Sequence, residues 1–283
     1  MEKWVIAAKR ADFQKIAQTF HIDPVTARLI RNRDVVGMEE MEKYLHGDLS
    51  LLPSPWRMKD MEKAVDILEE KIRQSRKIRV IGDYDIDGVM ASYILLRGLR
   101  CLGAAADVMI PHRITDGYGI NESLIEKAAK DQVDTIVTCD NGIAAAGQIG
   151  RAKELGMTVI VTDHHEVPYR EEGGERLESL PPADAVINPK QRSCGYPFKL
   201  LCGAAVAACL ICALYDRFSV DPAEKEALLE YEAIATIGDV MDLVGDNRIL
   251  VKEGLKRLHH TENYGLQALC EVNALTADQI TPY

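Results

Sequence analysis

Apolar and polar positions follow two different periods along this chain. Residues 1–56 carry a helical rhythm, in which Asp23, Pro24 and VTARLIRNR read as a capped helix start with proline at its first position. The two prolines of LSLLPSPWRM interrupt regular structure. KDMEKAVDILEEKIRQS then predicts an amphipathic helix with Met61, Ala64, Val65 and Leu68 on one face. From residue 78 the rhythm changes. IRVIGDYD, ADVMIPHR, VDTIVTCDNG and MTVIVTDHH read as short strands, and VMASYILLRGLRCLG, NESLIEKAAKDQ and AGQIGRAKELG as the helices between them. This alternation predicts consecutive βαβ units, hence an α/β fold with a mainly parallel sheet flanked by helices. EEGGERLESLPPAD, at 171–184, reads as a surface loop, and the chain from 198 onward reads as helical. The expected division is a mostly helical lead-in at 1–56, an α/β body at 57–245 and a helical connector at 246–283.

Three of the strands stop on acid or imidazole: Asp83, Asp85 and Asp87 after the first, Asp140 after another, and Asp163, His164 and His165 after a third. In an open parallel sheet, ligands gather beyond the carboxyl ends of the strands. Carboxylates and imidazoles converging at one edge are costly unless cations neutralise them. Hard oxygens mixed with imidazole nitrogens suit Mn²⁺ or Mg²⁺, with Mn²⁺ favoured by the nitrogens. Asp83 and Asp85 share a strand period of two, so their side chains leave one face together. Asp239 and Asp242 in ATIGDVMDLVGDNR are a fourth source of carboxylate, and the pattern does not choose between them. His259-His260 reads as a solvated or packed pair.

Composition changes this picture in one respect. The hydrophobic share of 47% is that of a globular chain, and no apolar run approaches the roughly 20 residues of a membrane span. The N-terminus lacks the apolar core of a signal peptide, so a cytoplasmic protein is expected. Seven cysteines, an odd number, then argue for reduced thiols. Cys209 and Cys212 form a CxxC inside the apolar LLCGAAVAACLICAL, which reads as core packing. The net charge of −10 opposes a broad nucleic-acid-binding surface. It leaves room for a narrow groove with a few cations beside a metal-neutralised acidic cluster.

At this point the quoted residues resemble a known pattern. GDYDIDGVMAS, VTCDNGI, VTDHHEVP and ATIGDVMDLVGDNR are similar, in order, to the four motifs of the DHH phosphoesterase superfamily. PHRITDGYGIN, AVINPKQRSCGYPFKLLCGAAVA and the N-terminal lead-in resemble segments of its RecJ branch, the single-stranded-DNA exonucleases. Where many members carry His, this chain has Ile81.

The resemblance implies metal ligation by Asp83, Asp85, Asp140, His164, His165 and Asp242, with Asp140 between two ions. It implies that Asp163 orients an imidazole and that Asp87 supports from behind. Arg113 is implied to meet a substrate phosphate. The implied reaction is two-metal phosphodiester hydrolysis, in which a water of lowered pKa attacks phosphorus in line. The implied substrate is single-stranded DNA, digested 5′ to 3′ in repair and recombination, with a single-strand-binding protein or a helicase as candidate partners. The alternatives are an oligonucleotide or cyclic-dinucleotide phosphodiesterase of the same superfamily and a catalytically silent scaffold module. Members of the RecJ branch also continue into a C-terminal domain, which the resemblance places beyond Tyr283.

Overall fold

The computed structural model describes residues 9–115, 117–276 and 279–282. Residues 1–8 of the expected lead-in, and 277, 278 and 283 of the expected connector, lie outside them. The chain separates into two compact units, Met1–Leu52 and Pro53–Tyr283. The first holds α1 (Phe13–Phe20), α2 (Pro24–Asn32) and α3 (Met38–His46). Asp23 caps α2 by accepting from the backbone N–H of Val25, ahead of Pro24 as the sequence predicts. Ile16, Phe20, Ala27, Ile30 and Met41 form this unit's small core.

The second unit opens with α4 (Met61–Arg73), whose buried face carries Met61, Ala64, Val65 and Leu68 as the period requires. The chain then runs through β1 (Lys77–Ile81), α5 (Ile86–Cys101), β2 (Ala105–Met109), α6 (Glu122–Lys130), β3 (Thr135–Cys139), α7 (Ala146–Glu154) and β4 (Thr158–Thr162). After these come β5 (Tyr169–Glu172), β6 (Glu175–Glu178) and β7 (Ala185–Ile187). The remainder is helical: α8 (Gly203–Arg217), α9 (Pro222–Glu226), α10 (Leu229–Gly238), α11 (Gly245–Leu258) and α12 (Tyr264–Val272).

Five strands make one sheet in the order β2-β1-β3-β4-β7, every pairing parallel. Ile81, Ile136, Val159, Val161 and Val186 face a core shared with Leu124 and Ile125 of α6 and Ile149 of α7. The alternate positions Val80, Val137, Ile160 and Ile187 are also fully buried, on the face covered by α4, α5 and α8. Burial on both faces explains why these strands read as continuous apolar runs. Because the order reverses between β1 and β3, a crevice opens at their carboxyl ends. The register aligns Ile81 with Thr138 and Cys139 with Thr162, so the residues just past each strand emerge at one edge.

Two segments differ from the sequence reading. The stretch read as a loop at 171–184 contains β6 and the end of β5, an antiparallel pair joined by Gly173-Gly174 at φ +62° and +85°. A two-residue Gly-Gly link is the sign of a tight hairpin. The flanking segments do not read as strands because both are exposed and show no apolar alternation. The three residues of β7 are likewise too few to show a period. The seven cysteines are free thiols, and burial pushes Cys212 up to about 12, which fits the core reading of the CxxC. Among the described residues, no helix is long and apolar enough to cross a membrane.

Candidate metal centre

Each strand end presents its acid for a local reason. Past β1, Asp83 is fully buried and its Oδ1 accepts from the Tyr84 N–H at 2.7 Å. A Cβ at Gly88 would lie 2.7 Å from both the Asp83 Cβ and its backbone carbonyl oxygen, so glycine lets the first turn of α5 pack against that residue. Asp85 is the N-cap of α5 and accepts from the Gly88 N–H at 2.8 Å. Asp87, in the first turn of α5, accepts from the N–H groups of Gly203 and Ala204 at 2.6 and 2.7 Å. It thereby pins the N-terminus of α8, where a helix favours an anion. This carboxylate also stands 3.6 Å from His164 Nε2.

Past β3, Asp140 adopts a left-handed conformation, φ +58°, and is almost completely buried. Its Oδ1 lies 3.1 Å from His164 Nε2 without hydrogen-bond alignment, and 4.0 Å from His165 Nδ1. A Cβ at Gly203 would come within 2.7 Å of the Asp140 side chain, so α8 can start here only with glycine. Between the strands, Asn141 donates from Nδ2 to the carbonyls of Ile81 and Cys139, tying the ends of β1 and β3 together.

Past β4, Asp163 organises the pair behind it. Its Oδ1 accepts from the His164 and His165 N–H groups at 2.7 and 3.0 Å and from His165 Nδ1 at 2.8 Å. Its Oδ2 accepts from the Ile143 N–H at 2.9 Å. Burial pushes this carboxyl up, but those hydrogen bonds and the facing imidazole outweigh it and hold it below the usual range. The same contact raises His165, whereas burial lowers His164. With Nδ1 donating to Asp163, His165 keeps its lone pair on Nε2, where the Tyr118 hydroxyl approaches to 3.3 Å.

Asp239, the last of these groups, caps the end of α10 and lies 3.8 Å from His164 Nε2. Of the two fourth-motif carboxylates, the structure brings Asp239 to His164 and leaves Asp242, which the resemblance implied, outside the cluster. Val240, at φ +56°, turns the chain away directly after Asp239, and Asp242 is exposed and belongs to neither ligand cluster. The usable signal was position: Asp239 ends the apolar helix, whereas Asp242 follows the turn.

Two groups of potential ligand atoms result, Asp140 with His164 and His165, and Asp87 with His164 and Asp239; the predicted ligands Asp83 and Asp85, like Asp242, stand in neither group. Asp83 Oδ2, Asp140 Oδ1 and His164 Nδ1 are all buried without a hydrogen-bond partner among the described residues. Unsatisfied buried polar atoms each cost about 1–3 kcal/mol, and one on each of three converging strand ends requires an explanation. Burial first, then the facing carboxylates of Asp87, Asp85, Asp163 and Asp239, push the Asp140 carboxyl far above the ordinary range. A donor set of carboxylate oxygens and imidazole nitrogens fits divalent cations of the Mn²⁺ or Mg²⁺ type. His259, by contrast, hydrogen-bonds the Ile280 carbonyl and joins no cluster.

Sequence reasoning assigned no role to three residues that build this centre: Asn141, Gly203 and Tyr118. Arg113 is exposed, and its guanidinium lies 4.5 Å over the Tyr84 ring, next to Asp83.

Comparison with known proteins finds relatives that align over most of this chain. The single-stranded-DNA-specific exonuclease RecJ of Bacillus subtilis is 37% identical over 272 residues, covering 96% of this chain and 33% of its own length. The Escherichia coli protein of the same name is 35% identical, covering 89% of this chain and 43% of itself. This chain thus spans a third to under a half of those relatives. Among solved structures, RecJ from Thermus thermophilus in complex with Mn²⁺ aligns over 94% of this chain and 36% of its own, with 31% identity and a TM-score of 0.74. The DHH family, N-terminal domain, matches residues 77–236, the stretch that carries all the strand and helix ends just described except Asp239, three residues beyond; the chain belongs to the DHH family.

Proposed function

We propose that this chain is the catalytic core of a two-metal phosphodiesterase that degrades single-stranded DNA from the 5′ end. The observation that carries the reading is the set of orphaned atoms on Asp83, Asp140 and His164 at converging strand ends. Asp83, Asp85, Asp140, His164, His165 and Asp239 would hold the ions, with Asp140 shared because it faces both imidazoles. Mn²⁺ is favoured over Mg²⁺ by the two nitrogens. Bound there, a pair of divalent cations supplies Lewis acidity and a water of lowered pKa.

The chain's own residues do the rest. Asp163 fixes the His165 tautomer and ring orientation through Nδ1, a usual arrangement behind a metal-binding histidine. Asp87 holds the α8 N-terminus against Asp140, and Asn141 keeps the two strand ends in register. Arg113, stacked on Tyr84, presents a cation at the rim for a substrate phosphate. The RecJ relatives and the metal-bound RecJ structures support both the metal and the substrate class.

The experiment is hydrolysis of end-labelled DNA by this chain with and without Mn²⁺. Release of mononucleotides from single strands but not duplex, abolished by Asp140→Ala, is the expected result. Equal cutting of both forms would overturn the substrate, as would faster cutting of dinucleotides than of long strands. Activity without any divalent metal would overturn the centre.

A further inference from the structure

Beside the metal centre lies a second cleft, of about 600 Å³, to which the sequence reading gave no role. Its floor begins at Glu166, the residue after His165, and one wall is the hairpin of β5 and β6. The opposite wall is the loop at 188–192. That loop is fixed to the centre: Asn188 Nδ2 donates to the His165 carbonyl at 2.9 Å, and Asn188 Oδ1 accepts from the Lys190 N–H at 2.8 Å. Gln191, also buried, donates to the Val186 carbonyl at 2.7 Å.

Three cations, Lys190, Arg192 and Arg176, and three carboxylates, Glu166, Glu175 and Glu178, line the cleft, and Arg176 also faces Glu171 at 3.8 Å. The Lys190 side chain is only 19% exposed. It pairs at 3.0 Å with Glu166, whose side chain is 88% exposed. Such a pair is weak, and its acidic half is free to swing into solvent. Arg192 is exposed, and among the described residues its guanidinium makes no ion pair; Glu178 holds it only through the backbone N–H, at 2.6 Å. Across the cleft, the Arg176 guanidinium lies 4.4 Å over the Tyr169 ring, which makes a flat, cationic wall. A phosphate beside Lys190 and Arg192 with a base against Arg176 and Tyr169 is the arrangement by which proteins hold single strands.

We propose that this cleft is a second nucleotide subsite, in which Lys190 and Arg192 grip the phosphate flanking the scissile one. This rests on the reading of the centre as a nuclease of single strands. It also answers the charge problem, since a chain of net charge −10 must retain a polyanion with a few well-placed cations. Glu166 then acts as the displaceable counter-ion, occupying Lys190 until a phosphate replaces it.

The test is binding of a 3′-labelled oligothymidylate of about ten nucleotides, followed by anisotropy across a salt series, with Ca²⁺ in place of Mn²⁺ to slow cutting. Each lost phosphate contact lowers the slope of log K against log salt by about 0.7 for a single strand. The double variant Lys190→Gln with Arg192→Gln, which releases that one phosphate, should lower it by about 0.7, and Lys190→Gln alone by less. Lys190→Arg should restore the slope, which separates a charge effect from a folding defect, and Glu166→Gln should tighten binding. Slopes unchanged in the single and double variants overturn the subsite, as does a Lys190→Arg variant that behaves like Lys190→Gln. A cleft that instead serves a protein partner would give that unchanged slope. Absence of strand binding by the unaltered chain overturns the nuclease reading together with the subsite.

Discussion

Replacing Asp163 by asparagine is the sharpest perturbation of the centre, because the change is isosteric and removes only charge and acceptor capacity. Asp163 accepts from four donors, three on Oδ1 and the Ile143 N–H on Oδ2. An asparagine that keeps its oxygen toward the histidines must turn its NH₂ toward the Ile143 N–H. One buried donor is then unmet, at a cost of about 1–3 kcal/mol. The opposite orientation leaves three donors unmet and is worse. The same substitution removes the negative charge that raises the His165 pKa, so the imidazole becomes a poorer ligand. Loss of such a supporting partner weakens metal affinity by about 10–100-fold. Two assays on one variant check the two halves: urea unfolding without metal, and calorimetric titration with Mn²⁺. A variant as stable as the parent and with the same Mn²⁺ affinity would refute the role given to Asp163.

Three further outcomes follow from the same geometry. Asp239→Asn should weaken Mn²⁺ binding by about tenfold or more while Asp242→Asn leaves it unchanged, measured by the same titration; the reverse pattern would restore Asp242. Tyr118→Phe should tighten Mn²⁺ binding by about 2–10-fold, because the phenol lies 3.3 Å from His165 Nε2, the ring nitrogen left for a metal, and a neutral hydrogen bond is worth about 0.5–1.5 kcal/mol; unchanged or weaker binding would show that it does not compete. Glu232 is buried on α10, and burial pushes its carboxyl up from 4.5 to about 8. The folded chain therefore holds a proton that the unfolded chain has lost between these values, so this group's contribution makes stability fall as pH rises from about 4.5 through about 8. Glu232→Gln should flatten that fall, by up to about 5 kcal/mol at the alkaline end, in unfolding series at several pH values; an unaltered pH dependence would contradict the burial argument.

The parts legible in sequence were those where one physical demand acts alone. Strands buried on both faces must be apolar throughout, and Val80, Val137 and Ile160 obey; strand ends at a switch point gather ligands, and Asp83, Asp140 and His164 stand there. Asp87 and Gly203 were legible only as parts of motifs. Their pairing joins residues 116 positions apart, which no local period can express. Asp239 and Asp242 look alike in sequence, since only the left-handed turn at Val240 separates them. The hairpin of β5 and β6 failed for a related reason: with both faces in solvent, nothing imposes alternation, and Gly173-Gly174 was the sole cue.

The central claim is that these side chains form a two-cation centre. Anomalous scattering at the manganese edge, from crystals of this chain grown with Mn²⁺, tests it directly. The account predicts two peaks about 3.5–4 Å apart, one on each side of Asp140 and within ligand distance of His164, His165 and Asp239. No peak there, or peaks that persist in crystals of Asp140→Ala, would contradict it.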